Sequence, residues 1–194
     1  MNQVLSGKKV AVLVGGSDLF SGLRGISAAT TRIKQAIKPW YNDVLAINYN
    51  YFLDFGKTLI TAREYLQTVG PIKQLVLYGY SKGGEVALEL ARSLEQQVSV
   101  QLLVTIDIAN GPWSDKINRS IPANVEKVIN VFQSNPNLLR SRGAAVYASE
   151  NTAIRNIDLT GARIHEEKVT HSNIEMLMAH QVIGWLRGEQ PVHG

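Results

Sequence analysis

The sequence contains no cysteine, and this absence removes several kinds of chemistry at once. Disulfides, thiolate metal sites and cysteine nucleophiles are all excluded. Long apolar runs are missing too: Val10–Val14, near the N-terminus, ends at a glycine pair and is too short for a signal sequence. No stretch approaches the roughly 18 apolar residues that a membrane span needs. We therefore expect a cytoplasmic protein without stable membrane insertion.

Blocks of like charge are also absent. The chain has 20 Lys and Arg against 16 Asp and Glu, a formal net charge of +4, and the basic residues are scattered. Nucleic-acid-binding proteins concentrate such residues into a patch, so nucleic acid is not an expected partner. With 194 residues, 45% hydrophobic and 19% charged, the composition is typical of one globular domain over residues 1–194.

Apolar, β-rich runs alternate with segments of helical spacing along the chain. The predicted strands are Val10–Val14, Val44–Asn48, Ile72–Tyr80, Val98–Ile106, Val125–Phe132 and Ile154–Leu159. The predicted helices are Ser27–Ile37, Thr58–Val69, Gly83–Leu94 and Asn173–Leu186. This alternation predicts an α/β fold: a mostly parallel twisted sheet of about six strands with helices on both faces. Ligands bind beyond the carboxyl ends of such strands, so the residues that follow each strand are the functional candidates.

The third predicted strand runs into Gly79-Tyr80-Ser81-Lys82-Gly83, which matches the motif G-x-S-x-G between a strand and a helix. Glycine suits both ends of this turn because a Cβ atom there would collide with neighbouring backbone. A chance match somewhere in the chain has a probability of roughly one in ten, so the flanking strand and helix carry the assignment. The alternatives are an idle serine or a phosphate-binding turn, although Lys82 is misplaced for a P-loop.

The strand, the Gly79–Gly83 turn and the following helix resemble the α/β-hydrolase superfamily, in particular its small lipase-like and esterase-like members. The resemblance implies a minimal hydrolase fold without a large cap, with Ser81 as nucleophile. It also implies that the acid and the histidine of a catalytic triad follow the serine in that order.

Four histidines are candidates for the base that activates the serine. His171 is preferred, because it lies in a loop after the last strand and directly before the closing helix, the base position that the resemblance implies. His165, in the same loop, is the second choice. His180 lies within the last helix, where a half-buried packing role is expected, and His193 lies in the C-terminal tail.

Asp107 is the preferred acid, because it is the first residue after Val98–Ile106. Many members of the superfamily carry the acid one strand later, but that position here begins with Gln133 and has no carboxylate. Lipase-like members with the acid after the earlier strand are known. The alternative role for Asp107 is to cap the next turn, and Asp115 and Asp158 are the fallback acids.

Acyl transfer also needs N–H donors for the developing oxyanion. The backbone of Lys82, after the nucleophile, and that of Gly16 or Ser17, after the first strand, are the predicted donors. Apolar side chains near the same edge either line a substrate pocket or pack the loops onto the helices. Phe20, Tyr49 and Trp113 are the preferred substrate-binding residues, and the others are Leu19, Leu23, Ile26, Tyr51, Phe52 and Phe55. Residues 135–152 are the least regular segment and a candidate flap.

The predicted reaction is hydrolysis of a carboxylic ester, of a small molecule or a lipid, through an acyl-enzyme on Ser81. This mechanism requires no metal or cofactor. Thioesterase and amidase or peptidase activities use the same apparatus and stay open. Two further classes also stay open: a hydrolase-fold binding protein with an inactive site, and a nucleotide-binding α/β protein.

Overall fold

A computed structural model describes residues 7–16, 27–49, 55–137, 140–148 and 151–189. Within them the strands are β1 (Lys8–Gly15), β2 (Asp43–Asn48), β3 (Ile72–Tyr80), β4 (Leu102–Ile106), β5 (Ser120–Ile121), β6 (Lys127–Phe132), β7 (Tyr147–Ala148), β8 (Ala153–Asp158), β9 (Arg163–Ile164) and β10 (Glu167–Lys168). The α-helices are α1 (Ala28–Ile37), α2 (Phe55–Val69), α3 (Lys82–Ser93) and α4 (Ile174–Arg187).

Six strands form one sheet in the order β2-β1-β3-β4-β6-β8, and each neighbouring pair is parallel. The predicted sheet is thereby confirmed. Strand order reverses at β1, because β2 lies on one side of it and β3 on the other. Such a reversal opens a crevice at the carboxyl ends of the two strands, where ligands bind in open α/β sheets.

Helices cover both faces of the sheet, and side chains alternate along each strand between the two cores. In β1, Val10, Val12 and Val14 pack with α2 and α3, whereas Ala11 and Leu13 pack with α1 and α4. Because both faces are buried, apolar residues occur on both sides of the central strands instead of at every second position. The continuous apolar runs that predicted these strands have this physical origin.

Most predicted elements differ from the observed ones by one to three residues at their ends. The largest difference is in β4, which begins at Leu102 and not at Val98, because Val100 makes only an isolated bridge to Val125. The sequence did not predict two short ribbons, a parallel β5–β7 pair and an antiparallel β9–β10 pair. Strands of two residues carry no periodic pattern. In the part of the chain that the structure describes, no helix has the length and apolar character needed to cross a membrane.

Candidate active site

The turn between β3 and α3 presents Ser81 at the sheet edge in a strained backbone conformation, with φ 54° and ψ −125°. Its geometry requires small residues on either side. A Cβ atom on Gly79 would lie 2.5 Å from the Cα atom of Gly84, and one on Gly83 would collide with backbone carbonyls at the end of β1. The backbone N–H of Ser81 donates to the carbonyl of Ile106 (2.9 Å), which fixes the turn to β4. The Ser81 hydroxyl does not cap α3.

The Ser81 hydroxyl lies next to an imidazole, and that imidazole lies next to a carboxylate. Oγ of Ser81 is 2.9 Å from Nε2 of His171, and Nδ1 of His171 is 2.8 Å from Oδ2 of Asp107. Asp107 is fully buried, whereas His171 is partly exposed. The structure therefore brings together the three residues that the sequence predicted, although 90 residues separate the serine from the histidine.

A glutamine that sequence reasoning missed holds the carboxylate. The backbone N–H of Gln133 donates to Oδ1 of Asp107 (3.1 Å), and its side-chain Nε2 donates to Oδ2 (2.7 Å). Gln133 is fully buried and directly follows β6, the neighbour of β4 in the sheet. It occupies the position where many members of the superfamily carry the acid itself. Its position directly after a buried strand could have indicated a functional role, because ligands bind at the edge of the sheet where the carboxyl ends of the strands lie.

Gly143 packs against the same carboxylate. A Cβ atom on this residue would lie 2.7 Å from Cβ of Phe132 and closer still to Oδ1 of Asp107. Its N–H donates to the carbonyl of Gln133 (2.9 Å), which holds the segment in place. Gly143 belongs to the candidate flap, residues 135–152. In its described part this segment packs against the acid, with Ser141 and Val146 buried.

Tyr80 also holds the base in place. Its ring stacks on that of His171 with centroids 5.6 Å apart and planes inclined by 28°. The Tyr80 hydroxyl donates to the backbone carbonyl of His171 (2.6 Å). The loop is fixed further by Asn173, whose side chain accepts from the backbone N–H of Thr170 (2.8 Å). The imidazole is thus oriented by backbone, ring and carboxylate contacts together.

The alternative bases lie elsewhere. His165 is exposed at the turn of the β9–β10 ribbon, with φ 49°. The prediction of a half-buried His180 was wrong, because this residue lies on the solvent side of α4 and is exposed. His193 falls outside the described residues.

The fallback acids also occupy other places. Asp115 is exposed in a short 3₁₀ turn after β4. Asp158 is exposed at the end of β8, where its carboxylate accepts from the backbone N–H of Thr160 (2.8 Å). The carboxylate that the structure places at His171 is that of Asp107. Among the residues that the structure describes, no group of three or more His, Asp or Glu side chains is arranged to hold a metal ion.

The predicted oxyanion donors lie beside the nucleophile where the structure describes them. A Cβ atom on Gly16 would lie 2.8 Å from Cβ of Ser81, so the backbone after β1 passes directly against the serine. Lys82 is the first residue of α3, and the first N–H groups of a helix have no intrahelical acceptor. Ser17, the other predicted donor, falls outside the described residues.

The predicted pocket residues differ in exposure. Trp113 is 56% exposed after β4, whereas Tyr49 is partly buried and packs against the core beside α2 and α3. Phe55 lies at the nucleophile turn, because Nζ of Lys82 is 5.4 Å from its ring centroid. The Lys82 ammonium also donates to Glu85 (2.7 Å). The remaining predicted pocket residues, Phe20, Leu19, Leu23, Ile26, Tyr51 and Phe52, fall outside the described part of the chain.

No protein-family model matches the sequence, and no curated protein is significantly similar to it. Solved structures do match. An esterase domain from a Rhodothermus marinus protein aligns with a TM-score of 0.53 and 14% identity, covering 93% of this chain and 86% of that one. Est1E from Butyrivibrio proteoclasticus aligns with a TM-score of 0.52 and 11% identity, covering 93% and 87%.

The NocB thioesterase domain from the nocardicin cluster is similar to the same degree, with a TM-score of 0.52 and 14% identity over 94% of this chain and 95% of that one. At such identities the comparisons establish the architecture. The chain has the α/β-hydrolase fold in a compact form, which confirms the resemblance seen in the Gly79–Gly83 turn.

Proposed function

We propose that the protein is a serine hydrolase that cleaves carboxylic esters through an acyl-enzyme on Ser81. The observation that carries this proposal is the continuous chain of contacts from hydroxyl to imidazole to carboxylate, at 2.9 and 2.8 Å. A serine hydroxyl is a poor nucleophile until a base accepts its proton. Both distances lie within the range for direct proton transfer and for charge-assisted hydrogen bonding.

In the first half-reaction, His171 accepts the proton of Ser81 as the oxygen attacks the ester carbonyl. Asp107 accepts the hydrogen bond from Nδ1–H, which leaves Nε2 free to act as the base. The carboxylate then stabilises the imidazolium that forms. His171 returns the proton to the departing alcohol, and the acyl group stays on Ser81.

In the second half-reaction, water attacks the acyl-enzyme by the same relay and releases the carboxylic acid. The negative charge on the carbonyl oxygen develops twice, once in each half-reaction. The backbone N–H groups of Lys82 and of Gly16 are the proposed donors to it, and each donor of this kind is worth about 3–4 kcal/mol of barrier. Glycine at position 16 allows the main chain to approach the substrate because no side chain intervenes.

The proposed substrates are small-molecule or lipid esters. Esterases among the structural neighbours support this class. Phe55, the first residue of α2, and Trp113, on the loop after β4, are apolar side chains near the catalytic edge, and they suit an acyl chain or an apolar alcohol. Tyr49 and Phe55 are both partly buried against the core, whereas Trp113 is exposed.

A fluorophosphonate probe tests the nucleophile directly, because it reacts with activated serines. Wild-type protein should be labelled, and folded Ser81→Ala should not. With p-nitrophenyl esters of increasing chain length, His171→Ala should lower kcat by about 10⁴-fold. His165→Ala, at an exposed turn, is the matched control and should retain full turnover.

Two results would contradict the proposal. Folded wild-type protein that is neither labelled nor active on any ester would favour a binding protein on a hydrolase fold. Full turnover by His171→Ala would show that another group is the base.

Thioester hydrolysis is the second candidate, because the NocB thioesterase domain is as similar as the esterases are. The same triad serves both reactions, and the pocket decides between them. Matched pairs of esters and thioesters that share one acyl group separate the two. A higher kcat/KM on the thioester across several acyl chains would reassign the substrate class.

A further inference from the structure

A buried carboxylate follows the proposed base closely in the chain. Glu175 is in the first turn of α4, four residues after His171, and is only 4% exposed. Three hydroxyl groups donate to it. Oε1 accepts from Oγ1 of Thr30 (2.6 Å) and from the hydroxyl of Tyr78 (2.9 Å), and Oε2 accepts from Oγ of Ser27 (2.9 Å).

The three donors come from the segments that carry the rest of the site. Ser27 caps the start of α1, the first described element after Gly16 in the sequence. Thr30 lies under the end of β1, because its Oγ1 is 3.2 Å from where a Cβ atom of Gly15 would be. Tyr78 lies in β3, three residues before Ser81. Glu175 therefore links the oxyanion side, the nucleophile strand and the start of the helix that follows the base.

Burying an ionised carboxylate in a protein core costs free energy. Burial disfavours its charged form unless hydrogen bonds replace the lost water. All three of these contacts are donations from hydroxyl groups, and the starts of α1 and α4 add favourable dipoles. The pKa of Tyr78 is raised well above its usual value, first by burial and then by the charge of Glu175.

We infer that Glu175 is a positioning residue for catalysis, which fixes His171 relative to Ser81 and to the Gly16 backbone. The inference rests on the proposed hydrolase function. It is distinct from a role in packing, because the hydroxyl donors belong to the very segments whose relative placement sets the geometry of proton transfer. Misplacement of a reacting group by about 1 Å can lower the rate about 100-fold.

Two variants test the inference. Glu175→Gln keeps the shape but removes the charge, and it should lower kcat about 10- to 100-fold with KM changed less than about twofold. Tyr78→Phe removes one donor and should lower kcat roughly 3- to 10-fold. Both effects are measured with a p-nitrophenyl ester and as the rate of fluorophosphonate labelling.

Tyr41→Phe is the matched control, because the buried hydroxyl of Tyr41 donates to the carbonyl of Leu186 at the opposite end of α4. It removes a comparable hydrogen bond to the same helix, far from His171. We expect a similar decrease of Tm in Tyr41→Phe and Tyr78→Phe, but a loss of kcat only in Tyr78→Phe. If Glu175→Gln does not fold, the comparison of Tyr78→Phe with Tyr41→Phe tests the inference by itself.

The His171→Ala background gives a second readout. Because Glu175 acts through the base, Glu175→Gln should reduce the residual labelling rate of His171→Ala by less than about twofold. Equal losses in the two backgrounds would overturn the inference, as would wild-type kcat in folded Glu175→Gln and Tyr78→Phe. In those cases the wild-type protein remains an active hydrolase. Absence of activity in the wild type would instead refute the proposed function and the inference together.

Discussion

Replacement of Gly143 by alanine should displace the acid without substituting any residue of the triad. The new Cβ atom would lie 2.7 Å from Cβ of Phe132 and closer still to Oδ1 of Asp107. Non-bonded carbon atoms in proteins approach to about 3.5–4.0 Å, so Phe132 and the carboxylate must shift by roughly 1 Å to make room. The backbone of Gly143 is not among those with positive φ, and alanine therefore adds no conformational strain of its own.

The displacement should lower kcat about 10- to 100-fold and leave KM nearly unchanged, because the carboxylate orients the base and does not contact substrate. Complete loss of the acid sets the upper limit, at about 10⁴-fold. Initial rates on a p-nitrophenyl ester, with circular dichroism to verify folding, measure the effect. Gly161→Ala is the matched control, since a Cβ atom there meets nothing within 4 Å and the residue, with φ 76°, lies in a surface turn. This control should lose stability but retain its kcat.

A double mutant tests the cause. In Asp107→Ala the carboxylate is gone, so Gly143→Ala should add little further loss of kcat. Folded Gly143→Ala with wild-type kcat would refute the reasoning. An equal fractional loss with and without the carboxylate would also do so, because the effect would then arise elsewhere.

Two further predictions concern single side chains. Gln133→Met removes a side-chain donor to the buried carboxylate of Asp107. The free energy of unfolding should therefore fall by about 1.5–3 kcal/mol, measured by urea denaturation, and kcat on an ester should fall by about 10-fold. Unchanged values of both quantities would contradict the role of Gln133. Burial raises the pKa of Tyr41 from 10.0 to about 12, so its contribution to stability is complete below pH 10 and is lost as the pH rises through 12. Between pH 8 and pH 11 the wild type should therefore lose about 1.4 kcal/mol more than Tyr41→Phe in urea denaturation, and equal losses would show that Tyr41 ionises normally in the folded state.

Much of the fold could be predicted because both faces of the sheet are buried. Central strands such as Val10–Val14 are apolar throughout, and the helices between them have clear spacing. The ends of elements were less predictable. Val98 and Val100 are as apolar as strand residues, but the regular strand begins only at Leu102, where pairing with β3 starts, and pairing with β6 starts at Leu103.

Ser81, Asp107 and His171 were predictable because each follows a strand or precedes a helix. Their supporting contacts were not. Gln133 reaches Asp107 only because β6 is the neighbour of β4, and the order of strands is not written in any local pattern. Gly143 packs against Asp107, and Glu175 accepts hydrogen bonds from residues far away in the chain; composition or periodicity gives no sign of such contacts.

The backbone conformation of Ser81 lowers the stability of the folded protein. With φ 54° and ψ −125°, Ser81 occupies a region that glycine adopts readily but that costs a residue with a side chain about 1–3 kcal/mol. A chain optimised for stability alone would carry glycine at position 81. With serine at this position, the free energy of unfolding is lower than it would be with glycine, and one hydroxyl group is held at the sheet edge.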